Sequence, residues 1–127
     1  MRTVVGRDWQ AGVMSDTGST GTGDFAPANW MAFTEDPTAP AASDEALASE
    51  ISSGSLARAQ AVFAHTGGSA SYTLTRAITA DQEVTLRKLG IFTADAPGGI
   101  MVFESAIPDP PAMVPGDQIQ ITHTIQL

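Results

Sequence analysis

Few side chains in this 127-residue sequence are equipped for chemistry, and their spacing argues against most of it. His65 and His123 are its two histidines. His123 falls between Ile121 and Ile125 on the apolar side of an alternating segment, the ordinary setting of a core or interface histidine. Two histidines with no acidic cluster at ligand spacing do not make a transition-metal site. There is no cysteine, which excludes disulfides and thiolate metal centres. Serines are plentiful, yet none stands in a Gly-x-Ser-x-Gly elbow that would present it as a nucleophile. Gly18-Ser19-Thr20-Gly21-Thr22-Gly23 shares glycines with a phosphate-binding loop but lacks its Gly-Lys-Ser/Thr ending. Carboxylates are adjacent at Glu35-Asp36 and Asp44-Glu45, positions that suit solvated loops or a helix start. No Asp-x-Asp-x-Asp-Gly calcium loop occurs. The expectation is a protein with no catalytic residues, no metal and no cofactor.

The elements that would carry these residues are short. Trp30-Met31-Ala32-Phe33-Thr34 reads as a buried strand, followed by a proline-punctuated loop over 35–42. Ser43-Asp44-Glu45 has helix-cap chemistry, and residues 45–51 predict about two helical turns ended by Gly54. Residues 56–66 fit a strand, because Gly67-Gly68-Ser69 then makes a hairpin turn into Ser71–Thr79. There Tyr72, Leu74 and Ile78 alternate with polar residues, the period of a half-buried strand. In 84–92 the apolar phase switches from Val84 and Leu86 to Leu89 and Ile91, which predicts a bulge near Lys88-Leu89-Gly90. Residues 100–103 form a short apolar strand. Ile119, Ile121, Ile125 and Leu127 share one face of the last one. The sum is a mainly β protein, an antiparallel sandwich or barrel-like domain with one short helix.

That domain is expected over residues 29–127, preceded by an extended N-terminal arm over 1–28. The polar stretch 15–24 cannot bury enough apolar area to order itself. Trp9, Val13, Met14 and Phe25 flank it, with a possible short strand over 9–14. Together with Trp30 they are the candidate partner-interface residues. The formal charge is −8, and residues 1–54 hold eight acids against Arg2 and Arg7. Such a surface opposes nucleic-acid and anionic-membrane binding; it serves solubility first, and docking on a basic protein surface is the sharper alternative. No apolar stretch is long enough for a membrane helix, and residues 1–6 lack the apolar region of a secretory signal. Folding in the cytoplasm where the chain is made is therefore expected.

Several motifs occur together. Ala39-Pro40 is followed by Asp44, Leu47 and Glu50 in an Asp-x-x-Leu-x-x-Glu pattern. Leu89-Gly90-Ile91-Phe92, Gly98-Gly99-Ile100-Met101 and Pro115-Gly116-Asp117-Gln118-Ile119-Gln120-Ile121-Thr122 come downstream. In this order the segment from about residue 30 to 127 resembles small virion structural proteins of tailed bacteriophages. It departs at Thr34-Glu35-Asp36-Pro37, where the pattern has Gly-Thr-Gly, and at Lys88, where the pattern favours an acid. The resemblance implies a capsid decoration (cement) protein on the outer surface of the virion head. Its partners would be the major capsid protein and its own copies in a homotrimer. The alternative it implies is a tail, baseplate or fibre component, in which Trp9 and Trp30 could serve host-glycan binding.

Overall fold

The computed structural model describes residues 1–7 and 28–126. Nine strands form among them: β1 (Trp30–Thr34), β2 (Ala59–Gln60), β3 (Val62–Ala64), β4 (Ser71–Thr79), β5 (Val84–Thr85), β6 (Lys88–Phe92), β7 (Met101–Ala106), β8 (Ala112–Met113) and β9 (Gln118–Gln126). They form a four-stranded sheet in the order β2-β1-β6-β7, a three-stranded sheet β3-β4-β9 and a small ladder β5-β8. All pairings between these strands are antiparallel. The mainly β, sandwich-like fold expected from the sequence is what the chain adopts.

Alternation decides which face is buried. In β4 and β9, Leu74, Arg76 and Ile78 lie opposite His123, Ile121 and Ile119. These side chains face the four-stranded sheet, where Met31, Phe33, Leu89 and Ile91 meet them in one apolar core. The opposite face of β4 and β9 carries threonine and glutamine, with Thr75 and Thr122 hydroxyls 3.1 Å apart. A one-residue slip would exchange these two faces, so the core fixes the register. His123 is half-buried at the rim of this core, its ring 6.0 Å from that of Phe103 on β7.

Strand β6 explains the switch of apolar phase. It is buried on both sides, with Leu89 and Ile91 against the core and Lys88, Gly90 and Phe92 under a covering loop. Such strands need no alternation. The switch itself is made by the break between β5 and β6 at Leu86-Arg87, while the register irregularity lies at Ile91/Phe92. The expected bulge at 88–90 is therefore displaced to either side. Gly90 is required by close approach: a Cβ there would stand 2.9 Å from the Phe92 ring and 3.2 Å from the Met101 sulfur.

The helix expected over 45–51 does not form. Residues 35–51 cross the outer face of the four-stranded sheet as turns, with Ser49 at φ 55°. Leu47 is buried in the small cluster of Ala32, Phe92 and Met101. Tertiary bonds hold the segment there: the Thr34 hydroxyl donates to the Ala48 carbonyl (2.7 Å) and the Ile51 amide to the Phe33 carbonyl (2.9 Å). A single buried leucine gives no helical stripe, and these bonds outweigh local propensity. The helical geometry among the described residues lies instead in one turn at 4–7 and a 3-10 turn at Gly54–Leu56.

Residues 1–7 are docked on the domain. Arg2 bridges to Phe103, and Thr3 is fully buried, its amide donating to the Val102 carbonyl. The expected arm over 1–28 is thus described at its ends, and the expected strand over 9–14 lies outside the described residues.

Burial lowers the pKa of His123 below 6.5. The folded state therefore favours the neutral ring, and the unfolded chain binds a proton first as pH falls. Stability contributed by this group is present above 6.5 and is lost as pH drops through the window beneath it. Thermal melts across that window should show the loss, and His123→Gln should flatten it; an unchanged slope would contradict the assignment.

Candidate functional site

The sheet register brings together charges that lie far apart in the sequence. On the outer face of the four-stranded sheet, Thr34 of β1 is opposite Lys88 of β6, and Glu104 of β7 is opposite Gly90. Lys88 and Glu104 are therefore diagonal neighbours, and the covering loop closes over them. The Lys88 ammonium lies 3.2 Å from Glu104 Oε1 and 3.3 Å from Asp36 Oδ2. Side-chain exposure is 4% for Lys88, 1% for Glu104 and 19% for Asp36, so the contact is shielded from water.

Each carboxylate is oriented. The Asp36 amide donates to the Thr34 hydroxyl, and Asp36 Oδ1 accepts from the Thr38 amide and hydroxyl, leaving Oδ2 for Lys88. Those Thr38 bonds, with Lys88 adding to them, lower the Asp36 pKa. Glu104 is the opposite case. Burial, and then the neighbouring Asp44 carboxyl, raise its pKa against the pull of Lys88. Its Oε2 is buried with no hydrogen-bond partner among the described residues. Burial opposes the charged form of Lys88, but Glu104 and Asp36 outweigh it and hold the ammonium above its ordinary range.

Two further buried cations brace the same layers. Arg58 pairs with Glu50 (2.6 Å), donates to the Ala94 and Gly98 carbonyls, and stacks on the Phe92 ring at 3.5 Å. Arg76 donates to the Met31 and Ser55 carbonyls beside Phe33. Both guanidiniums tie loops to strands by fixed forks. A shallow groove of about 460 Å³ lies elsewhere, between Ala77–Thr79 and Gln118–Gln120, and has no titratable lining group.

Trp30 is half-buried against the cluster of Ala32, Leu47, Phe92 and Met101, where it packs on the covered side of the sheet. Trp9, Val13, Met14 and Phe25 lie outside the described residues. No group of acids and histidines that could hold a metal occurs among the described residues. Exposed apolar side chains gather instead on β3, where Val62 is 70% and Phe63 59% exposed, with the Phe63 ring 5.4 Å from Tyr72. Strand β3 is an edge: β4 pairs with one side, and no described strand pairs with the other.

From the sequence the acid pairs suit solvated loops or a helix start, whereas one member of each, Asp36 and Asp44, turns toward the lysine–glutamate cluster. A usable signal was present. Glu104 is a lone charge within an apolar strand segment, Lys88 follows Arg87 at the head of another, and charges in such places are seldom buried unpaired. Compared with known proteins, the chain matches no family model, no curated protein and no solved structure.

Proposed function

We propose that this chain is a non-catalytic virion structural protein of a tailed bacteriophage. In this reading it decorates the head, docking on the outer surface of the major capsid protein lattice as a homotrimer. The observation that carries the reading is the unguarded β3 edge. Native edges are ordinarily blunted by charge, proline or a bulge, because their free amides and carbonyls invite another strand. Here Val62 and Phe63 stand exposed on such an edge without a charged residue between Ala59 and Ala64. An apolar edge of this kind suits docking by strand addition on a partner. The net charge of −8 would assist by steering the subunit onto basic capsid patches, an effect that salt weakens. The resemblance of residues 30–127 to virion structural proteins supplies the context.

The test uses capsids stripped of accessory proteins, incubated with the full chain or with a Val62→Thr, Phe63→Ser double variant. Both positions are exposed, so folding should be unaffected. Occupancy of the variant is expected to fall about tenfold or more, the loss typical of an aromatic anchor. Equal occupancy would remove β3 from the interface, and binding only to tails would replace decoration by a tail role.

A further inference from the structure

The lysine–carboxylate cluster carries an inference that does not depend on where the protein docks. We infer that Lys88 and Asp36 are the two halves of an intramolecular isopeptide bond, with Glu104 as the group that carries the protons.

Three observations support it. The amine and the acyl group are already in contact, with Nζ 3.3 Å from Oδ2 of Asp36, the oxygen bonded to the carbon that would be attacked. Glu104 is equally close to the amine, nearly solvent-free, and has one oxygen without a partner among the described residues, so it is free to take a proton. The two carboxyls also differ in setting. Asp36 is at the edge of the layer, where a released water can leave, while Glu104 lies beneath it.

The step balances without a co-reactant. The Lys88 ammonium gives one proton to Glu104 and becomes a neutral amine. Burial brings that neutral pair closer in energy to the ion pair, because both charges have lost their hydration. The Nζ lone pair then adds to Cγ of Asp36. Of the three ammonium protons, one stays on the amide nitrogen, and the other two, each passed on by Glu104, depart with an Asp36 oxygen as water when that C–O bond breaks. Glu104 ends as it began, a carboxylate. Fixed proximity supplies what free amines and acids lack, an effective concentration of roughly 10⁵–10⁸ M in well-oriented cases. The bond would join the loop after β1 to β6 across two adjacent strands and clamp the covering loop to the sheet.

Mass spectrometry decides the matter. Lys88 is the single lysine, and the arginines stand at 2, 7, 58, 76 and 87. Trypsin therefore releases residues 8–58 and 89–127 as separate peptides if no bond exists. With the bond, cleavage after Lys88 is blocked, and 8–58 emerges joined to 88–127. The full chain should also be lighter than its sequence requires by one water. Lys88→Arg keeps the charge but cannot form the amide, and Asp36→Ala removes the acyl carbon; both should return to full mass. Glu104→Gln should fold with a cooperative melt yet remain unlinked. Free 8–58 and 89–127 from the folded wild-type chain would overturn the proposal, as would a link at Glu104 in place of Asp36. Linkage in Glu104→Gln as complete as in wild type would overturn the role given to Glu104. If that variant does not fold, the wild-type digest still decides the bond.

Discussion

Relative to the chain with its Lys88 ion pairs unlinked, replacing Lys88 by methionine is expected to cost about 3–5 kcal/mol of stability, the range seen when one partner of a buried ion pair is removed. Methionine matches the length of the lysine stem, so packing is nearly preserved. What changes is that Glu104, 1% exposed, keeps its burial and loses its counter-charge. It can escape only by holding a proton. An acid whose folded pKa lies above its unfolded value contributes stability below the unfolded value, and this is lost as pH rises through the folded one. For Glu104 the unfolded value is near 4.5, and loss of Lys88 moves the folded one further up. The variant should therefore be more damaged at neutral than at acid pH. Pairing it with Glu104→Leu should recover most of the loss, because an apolar pair of similar volume avoids desolvation altogether. Urea unfolding of the two variants at two pH values measures both effects. A loss under about 1 kcal/mol for the single variant, a value typical of exposed pairs, would show that water reaches the cluster.

Phe33→Ala is expected to cost about 3–5 kcal/mol as well, for a different reason. Phe33 is fully buried on the inner face of β1, in the core shared by the two main sheets, and the Arg76 guanidinium lies 5.2 Å from its ring. Truncation opens a cavity that the facing strands cannot close, since their separation is set by the surrounding core. It also removes an aromatic face from a buried cation that has no carboxylate partner among the described residues. The loss should appear at all pH values, in contrast to Lys88→Met. A cost below about 2 kcal/mol in urea unfolding would mean that the two sheets are less closely packed than described.

The elements most legible in the sequence were those with one buried face. In β4 and β9 the alternation of apolar and polar residues determined strand and face, though not that the two pair, and Gly67-Gly68-Ser69 marked the hairpin between β3 and β4. Legibility failed where tertiary contacts set the structure. Residues 45–51 have the cap chemistry and the alanines of a helix, but their carbonyls and Leu47 are claimed by Thr34 and the sheet beneath. Strand β6 lacked alternation because it is covered on both sides. The charged cluster was the least legible feature. Asp36, Lys88 and Glu104 become neighbours only through the register of three strands and the path of one loop, and no spacing along the chain encodes that meeting.

A sandwich braced by buried cations and edged with exposed apolar residues suits a part that bears load within an assembly. Decoration of the capsid is the central claim built on it, and cryo-electron microscopy of purified virions tests that claim most directly. Density fitting residues 28–126 is expected on the outer face of the head, repeated with the lattice, with β3 against the major capsid protein. Density for the chain only in the tail, or virions that lack the chain altogether, would contradict it.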